Sequence, residues 1–180
     1  VLVIGAGTIG VLAAIAAKAK GGEVYIADVA EEKLTYAYET FQLAGMIKND
    51  SDESLMQRVQ EITGDHHGFD VCIEAVGLPS TFQNCVDAAT FGARIVLIGV
   101  GKKNLDFNFT LIQKKELNIF GSRNARKEDF IELIDLVKKG EVDLEKIVME
   151  NSEYAFDDAA RAFQEFSENA GSKLKVMIRF

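Results

Sequence analysis

The chain has 180 residues, of which 48% are hydrophobic and 27% charged, and its formal net charge is −8. This composition is typical of one globular α/β domain with an appendage, and the acidic balance argues against a nucleic-acid partner, whose phosphates require a basic surface. No apolar run reaches the roughly 20 residues that a membrane span needs, and only two cysteines occur, which excludes a disulfide framework and favours the cytoplasm.

The opening of the chain predicts a buried strand that turns directly into a helix. Four branched apolar residues precede glycines at positions 5, 7 and 10. Gly5 permits a tight turn, Gly7 leaves room for a pyrophosphate, and Gly10 allows the helix to pack close to the strand. The backbone N–H groups of Thr8 and Ile9, at the helix start, would face the phosphates with the helix dipole behind them.

An acidic residue supports dinucleotide binding over a purely structural strand-to-helix turn. A second strand-like run, 23–27, follows the helix and ends in Asp28, eighteen residues after Gly10. A carboxylate there can accept hydrogen bonds from both ribose hydroxyls of an adenosine. It would repel the 2′-phosphate of NADP, and no arginine occurs in 29–32, so the pattern predicts NAD.

The alternation of strands and helices continues along the chain. The predicted segments are a helix over 30–43, a short strand at 46–47, a helix capped by Ser51 or Asp52 and ending at Gly64, a strand over 69–77, a helix over 80–90, and strands over 93–99 and 117–121. This rhythm implies right-handed crossovers and a doubly wound parallel sheet, a three-layer α/β/α Rossmann fold. The stretch 105–112 alternates apolar and polar residues and predicts an edge strand.

Ligands of doubly wound sheets bind outside the carboxyl ends of the strands. The functional edge is therefore expected to comprise residues 5–10, Asp28, residues 75–77, residues 99–101 and the strand end at 122–123. His66 and His67 precede a strand that contains Cys72, but zinc needs three or four convergent ligands and this loop has no closely spaced cysteine pair. We interpret these histidines as exposed loop residues.

Beyond Arg123 the pattern changes, so we expect a Rossmann core over 1–123 and a C-terminal appendage of helices and a strand over 124–180. Its predicted elements are a helix over 127–139, a strand at 147–148, a helix over 154–168 and a final strand over 173–180. The chain begins inside a core strand and without methionine, which leads us to expect a fragment of a longer polypeptide.

Together these motifs resemble the medium-chain, zinc-type alcohol and polyol dehydrogenases, specifically their C-terminal half, over essentially the whole chain. The resemblance rests on residues 5–10, Asp28 with Lys33, and segments 74–77, 98–101, 115–123, 156–160 and 173–176. The 115–123 segment is most similar to the sorbitol, idonate and related sugar-acid branch.

The resemblance implies a set of NAD-binding residues. They are Gly5, Gly7, Thr8, Ile9, Gly10, Asp28, Lys33, Val76, Gly77, Val100, Gly101, Ser122 and Lys175. Asp28 and Lys33 would hold the adenosine ribose, while the loops at 76–77, 100–101 and 122–123 would line the nicotinamide.

The roles of Lys175 and Arg123 each allow two interpretations. Lys175 occupies the place of a basic residue near the pyrophosphate, or is a surface lysine. Arg123 reaches toward the substrate, or is a surface arginine at a strand end.

The resemblance also implies chemistry outside this chain. In the family an N-terminal domain supplies the Cys, His and Glu ligands of a catalytic zinc, which lowers the pKa of the alcohol so that hydride can pass to the nicotinamide. We expect no catalytic or metal-binding residue here, and cofactor binding without catalysis by this chain alone. The substrate of the full-length enzyme would be a polyol or sugar-acid alcohol, and the enzyme a homo-oligomer, a dimer or tetramer, joined through edge strands near 105–119.

Three other protein classes share part of this pattern. A non-catalytic, NAD(H)-sensing regulatory module would use the same fold, but such modules carry a domain for DNA or a channel, and nothing basic or helix-turn-helix-like occurs here. A short-chain dehydrogenase needs a tyrosine with a lysine four residues on, which none of the four tyrosines has. A methyltransferase would share the glycine turn and the acid, but the 99–101 loop and the strand after it favour nicotinamide.

Overall fold

The apolar run that opens the chain forms one strand of a six-stranded parallel sheet in the computed structural model, which describes residues 1–148, 152–168 and 173–180. The chain divides into two compact units, Val1–Ala125 and Arg126–Phe180. The sheet belongs to the first unit. The boundary predicted after residue 123 lies two residues before this division.

In the first unit strands and helices alternate. The strands are β1 (Leu2–Ile4), β2 (Tyr25–Asp28), β3 (Gly45–Lys48), β4 (Phe69–Glu74), β5 (Ala89–Leu97) and β6 (Asn118–Gly121). The helices are α1 (Thr8–Ala19), α2 (Glu31–Phe41), α3 (Asp52–Thr63), α4 (Pro79–Ala88) and α5 (Thr110–Lys114), with a 3₁₀ turn at Gly64–His66. All neighbouring strands are parallel in the order β3-β2-β1-β4-β5-β6. This order reverses between β1 and β4 and confirms the predicted Rossmann fold.

The core follows from the periodicity of the sequence. All three residues of β1 are buried, as expected for a central strand covered on both faces. Helix α3 buries Leu55 and Val59, which are four residues apart on one face, and helix α4 buries Cys85 and Val86. These side chains join β1 and Ile95 of β5 in one apolar cluster.

Serine rather than aspartate caps α3. The hydroxyl of Ser51 accepts a hydrogen bond from the backbone N–H of Ser54, and the hydroxyl of Ser54 accepts one from the N–H of Ser51, both at 3.2 Å. This reciprocal capping box resolves the two predicted alternatives in favour of Ser51 and leaves Asp52 in the first turn.

The predicted edge strand at 105–112 is wrong. This stretch is irregular and leads into α5. Phe107 packs edge-on against Phe82 of α4, with ring centroids 5.0 Å apart, and Leu111 and Ile112 pack against the core. The apolar alternation therefore reflects packing onto the core without strand pairing, and β6 forms the edge of the sheet on this side.

The second unit contains α6 (Lys127–Lys138), β7 (Glu153–Ala155), α7 (Ala159–Glu168) and β8 (Met177–Arg179), with 3₁₀ turns at Glu145–Ile147 and Phe156–Asp158. The helix predicted over 127–139 is confirmed. The strand predicted at 147–148 is wrong, because Ile147 reaches a buried position from a 3₁₀ turn. The final strand is shorter than predicted, and β8 pairs in parallel with β7.

The predicted helix over 154–168 begins five residues late, at Ala159. Tyr154 lies in β7 and is buried, and its hydroxyl donates to Oε2 of Glu165 in α7 and accepts from Nζ of Lys173, both at 2.5 Å. These bonds and the pairing with β8 hold residues 153–155 extended, which local helical periodicity could not indicate. Across the described ranges, each helix is too short or too polar to cross a bilayer.

A partly buried lysine closes the C-terminal end of α4. Nζ of Lys115 donates to the carbonyl oxygens of Val86, Asp87 and Ala89 at 2.8, 2.9 and 2.9 Å. The last carbonyl groups of a helix have no intrahelical partner, so a cation with three donors satisfies them and complements the helix dipole. Burial lowers the pKa of Lys115, and the negative charge of Asp87 opposes that shift.

We expect Lys115→Met to lower the free energy of unfolding by about 2 kcal/mol, because three partly buried carbonyl groups lose a charged donor. Urea unfolding followed by circular dichroism measures this change. Lys114→Met, at the exposed neighbouring position, is the matched control and should leave the midpoint within the error of the wild-type value. Equal midpoints for the two variants would contradict the capping role.

Candidate functional site

The turn between β1 and α1 is tight. Gly5 has a φ of +111°, in the region that favours glycine, and its N–H donates to the carbonyl oxygen of Ala27 at 2.7 Å. A Cβ on Gly5 would lie 2.9 Å from Cγ2 of Val76. The turn is therefore enclosed by the ends of β2 and β4.

Gly10 and Gly7 have opposite surroundings. A Cβ on Gly10 would lie 1.8 Å from the carbonyl oxygen of Gly5, so only glycine lets the first turn of α1 approach the strand end this closely. A Cβ on Gly7 would meet no atom within 4 Å. Thr8 and Ile9 follow as the first residues of α1. The helix start therefore borders open space that a ligand can enter.

Asp28 ends β2 and connects two loops. Its Oδ2 accepts a hydrogen bond from the N–H of Ala6 at 2.6 Å, and its Oδ1 accepts one from the N–H of Ala30 at 2.9 Å. The carboxylate is partly exposed. Because each carboxylate oxygen can accept more than one hydrogen bond, both oxygens keep acceptor capacity for ligand hydroxyls.

A cleft of about 240 Å³ opens beside Asp28, at the carboxyl ends of β1, β2 and β4. Its lining includes Asp28, Asn49, Val76, Leu78, Thr81 and Asn84. The wall thus combines the apolar side chains of Val76 and Leu78 with several polar side chains that can form hydrogen bonds, and such a combination suits a small-molecule site.

The amide pair Asn49 and Asn84 was not among the residues predicted from the sequence. Nδ2 of Asn49 donates to Oδ1 of Asn84 at 3.1 Å, and Nδ2 of Asn84 donates to Oδ1 of Asp52 at 2.7 Å. This network joins the β3–α3 loop to α4 at the cleft. Asn49 directly follows β3, so the rule that ligands bind at the carboxyl ends of strands could have identified it. Asn84 is a polar residue on the buried face of a helix, and its hydrogen-bond partners lie far away in sequence.

The loops after β4 and β5 touch one another. Gly77 has a φ of +87°, and a Cβ on it would lie 2.6 Å from the carbonyl carbon of Val100. A Cβ on Gly101 would lie 2.7 Å from the carbonyl oxygen of Gly77. Val76 and Val100 are 41% and 69% exposed, so this paired loop offers apolar surface to a ligand.

The remaining predicted residues are less closely grouped. Ser122 follows β6, where its N–H donates to the carbonyl oxygen of Leu97 at 2.9 Å, and Arg123 after it is exposed. Lys33 lies partly buried near the start of α2. Lys175 is exposed and belongs to the second unit. The structure therefore brings the β1–α1 turn, Asp28 and the β4 and β5 loops to one edge of the sheet. The cofactor-binding roles of these residues, and of Ser122, Lys33 and Lys175, stay predictions.

The cysteines and loop histidines are not suited to nucleophilic or metal chemistry. Burial raises the pKa of Cys72 to about 12 and raises the pKa of Cys85 well above its ordinary value, so both thiols stay protonated at neutral pH. His66 and His67 are exposed, and Nε2 of His66 lies 2.9 Å from Oδ1 of Asp70. Among residues 1–148, 152–168 and 173–180, no three His, Cys, Asp or Glu side chains form a group that could hold a metal ion.

Comparison with known proteins gives consistent matches. A family model described as zinc-binding dehydrogenase matches residues 8–139. An uncharacterized zinc-type alcohol dehydrogenase-like protein of Haemophilus influenzae is 30% identical over 98% of this chain and 50% of its own length. Sorbitol dehydrogenase 1 of Saccharomyces cerevisiae is 28% identical over 99% of this chain and 50% of its own. The chain thus spans about half the length of the curated relatives it matches.

A solved structure matches in fold and in sequence. It is a protein of Escherichia coli described as a short chain alcohol dehydrogenase and complexed with the cofactor NADH. It is 28% identical, with a TM-score of 0.86, and the match covers 99% of this chain and 51% of that chain.

We expect Gly10→Ala to lower the free energy of unfolding by about 3 kcal/mol, because its Cβ would overlap a backbone oxygen that cannot move without shifting α1. Gly7→Ala is the matched control at the same turn and should cost less than about 1 kcal/mol, since its Cβ enters open space from an extended backbone. Urea unfolding of both variants measures the difference. A Gly10→Ala variant as stable as Gly7→Ala would contradict the close packing.

Proposed function

This chain belongs to the zinc-binding dehydrogenase family, and we propose on that basis that its first unit binds NAD(H) in the cleft beside Asp28. In the full-length enzyme this unit would serve hydride transfer between a polyol or sugar-acid alcohol and NAD. The observation that carries the proposal is the partly exposed Asp28 carboxylate, held by the N–H of Ala6 at the same turn where Gly7 leaves open space.

Electrostatics at the cleft support NAD over NADP. The Asp28 carboxylate is followed by Glu31 and Glu32 in the first turn of α2, and this negative charge would repel a 2′-phosphate. Lys48, at the end of β3, is already paired with Glu31 at 3.1 Å and Asp50 at 3.6 Å. This lysine therefore offers little uncompensated positive charge to a phosphate.

The start of α1 is suited to the pyrophosphate. The first turn of α1 contains no acidic residue, so no carboxylate of the helix itself cancels the positive end of the helix dipole. The backbone N–H groups of Thr8 and Ile9 would bind phosphate oxygens over Gly7. Lys33 at the ribose and Lys175 near the pyrophosphate belong to the same proposal.

The apolar loops would orient the nicotinamide. Val76 and Val100 present exposed methyl groups beside the glycines that let the two loops touch, and they would exclude water from one face of the ring, with Ser122 at the next strand end. Bound NAD supplies the hydride acceptor. The chain's own contribution is to bind the cofactor and fix its orientation.

Zinc does not fit the described residues, because no three potential ligands converge within them. We therefore assign no step to zinc in this chain and propose that the full-length enzyme holds it in the part of the relatives that the chain does not match. The relatives named above are dehydrogenases or dehydrogenase-like, and they lend the regulatory alternative no support.

The second unit has an exposed apolar helix, α6, which leads to a separate proposal. None of the residues of α6 is buried, and Phe130, Ile131 and Ile134 are at least half exposed. A helix face with several exposed apolar side chains is typical of a surface that another part of a protein covers. We propose that residues 124–180 partly complete a further domain in the full-length enzyme, which would form dimers or tetramers.

We expect calorimetric titration to show that the purified chain binds NAD⁺ more tightly than NADP⁺. Asp28→Ala should weaken NAD⁺ binding by about 2 kcal/mol, or roughly 30-fold, because the ribose hydroxyls lose a charged acceptor. Asp28→Asn keeps the shape and removes the charge, so it should narrow the preference for NAD⁺ over NADP⁺. Wild-type protein that binds neither dinucleotide would contradict the proposal.

The chain alone is expected to produce no NADH from NAD⁺ and a polyol such as sorbitol, with or without added Zn²⁺, because no three potential metal ligands converge in the part of the chain that the structure describes. Absorbance at the NADH band measures this, with a complete zinc-dependent sorbitol dehydrogenase as the positive control. Polyol-dependent NADH formation by the purified chain would show that it contains catalytic groups that we have not assigned.

A further inference from the structure

Two asparagines and an aspartate form a chain of hydrogen bonds along the wall of the cleft. Nδ2 of Asn49 donates to Oδ1 of Asn84 at 3.1 Å, and Nδ2 of Asn84 donates to Oδ1 of Asp52 at 2.7 Å. All three residues line the cleft. Asp52 is exposed, Asn84 on α4 is only 3% exposed, and Asn49 after β3 is partly exposed. The network therefore links an exposed carboxylate, through a buried amide, to a second amide at the cleft.

The carboxylate fixes the orientation of both amides. An ionised carboxylate has only acceptors, so Asn84 turns its NH₂ group toward Asp52 and its Oδ1 toward Asn49. That oxygen requires a donor, which is the NH₂ group of Asn49. Rotating either amide by 180° would set two acceptors against each other at a buried position, which is unfavourable. The orientation of Asn49 therefore follows from the chemistry of Asp52, two hydrogen bonds away.

The network leaves an oriented carbonyl oxygen at the cleft. Within the described residues Asn49 makes no other side-chain hydrogen bond, so its Oδ1 keeps its acceptor capacity. A ligand that places a donor at this oxygen gains a hydrogen bond, whereas a ligand that places an acceptor there leaves two acceptors facing each other. Asn49 is therefore suited to select between ligands that differ in one polar group.

The position of Asn49 indicates which part of the dinucleotide would meet it. Its N–H donates to the carbonyl oxygen of Asp28 at 2.9 Å, so the two residues lie side by side at adjacent strand ends. Under the proposed function Asp28 holds the adenosine ribose, and the start of α1 holds the pyrophosphate. With the phosphates after β1 and the ribose at β2, the strand order β3-β2-β1 leaves the base on the side of β3, where Asn49 lies.

The same cleft offers apolar surface to an aromatic ring. Val29 and Leu78 line it and are 68% and 45% exposed. Apolar side chains can cover the faces of a base but do not distinguish one purine from another, because purines differ in the polar groups at their edges. Selection among purines therefore requires a polar group such as the amide of Asn49.

We propose that Asn49 is a specificity-determining residue for the base of the dinucleotide, and that its Oδ1 accepts a hydrogen bond from the 6-amino group of adenine. This inference rests on the proposed function. Asn84 and Asp52 are positioning residues, which hold the amide in its accepting orientation. Asparagine pairs with the 6-amino group of adenine when proteins read DNA. Hypoxanthine has a 6-keto oxygen in place of the amino group, so it would present an acceptor to an acceptor.

The test compares NAD⁺ with nicotinamide hypoxanthine dinucleotide by calorimetric titration of the 180-residue chain. The two compounds share the ribose, pyrophosphate and nicotinamide groups, so the ratio of their dissociation constants reports on the base alone. We expect the wild type to bind NAD⁺ about tenfold more tightly, because one compound gains a hydrogen bond and the other meets an acceptor. Asn49→Ala should reduce this preference to within about twofold, chiefly by weakening NAD⁺ binding.

Asp52→Asn tests the orienting role, because it keeps the shape of the side chain and lets it donate as well as accept. The amides can then rotate together, so that Asn49 offers its NH₂ group to the 6-keto oxygen. This variant should hold NAD⁺ affinity within about threefold of wild type and reduce the preference to about threefold, through tighter binding of the hypoxanthine compound.

Asp50→Asn is the charge-matched control. Asp50 lines the same cleft, and its carboxylate is paired with Lys48 at 3.6 Å. Because this residue does not orient the amides, the variant should keep the wild-type ratio of the two dissociation constants. Loss of the preference in Asp50→Asn would assign recognition of the base to that carboxylate and overturn the inference.

Three further results would overturn the inference while the proposed function stands. They are a wild-type preference below about threefold, an Asn49→Ala variant that keeps the preference, and an Asp52→Asn variant that weakens both compounds by the same factor, as loss of a merely structural contact would. Wild-type protein that binds neither compound would instead overturn the proposed function, and the inference with it.

Discussion

The site depends on the contact between the first turn of α1 and the end of β1. At Gly10 the helix lies so close to the strand that a single methyl group would overlap the carbonyl oxygen of Gly5. This approach brings the start of the helix to the level of the strand ends, where Asp28 accepts the N–H of Ala6. A wider separation would move the helix N-terminus away from the carboxylate of Asp28.

The carboxylates at the ends of the two strands that flank β1, Asp28 and Glu74, both accept main-chain hydrogen bonds, but they differ in burial. Asp28 and Glu74 each accept main-chain N–H groups from the loop that follows their own strand, and Asp28 also accepts the N–H of Ala6 in the turn after β1. Asp28 stays partly exposed and keeps acceptor capacity for a ligand, whereas Glu74 is buried and its hydrogen bonds serve the loop. Burial rather than residue type separates the group suited to binding from the group suited to positioning.

The family match and the structural division do not coincide. Residues 8–139 match the zinc-binding dehydrogenase model, and this range extends past the sheet into α6 of the second unit. The relatives are about twice as long as this chain. The second unit has its own small sheet, formed by β7 and β8. Its helix α6 has no buried residue, so the apolar side chains of this helix are left without cover within the unit.

Local signals in the sequence were sufficient for the parallel α/β fold, the glycine turn and Asp28 at a strand end, and they narrowed the cap of α3 to Ser51 or Asp52, because turn chemistry and periodicity act between residues close in the chain. The same signals misassigned 105–112, where Phe107 packs on Phe82, and the start of α7, where Tyr154 meets Glu165 and Lys173. Only the tertiary structure brought Asn49 to Asn84 and Thr81 to Glu74. Which polar side chains meet depends on how separate strands and helices pack, and periodicity within one segment carries no information about that packing.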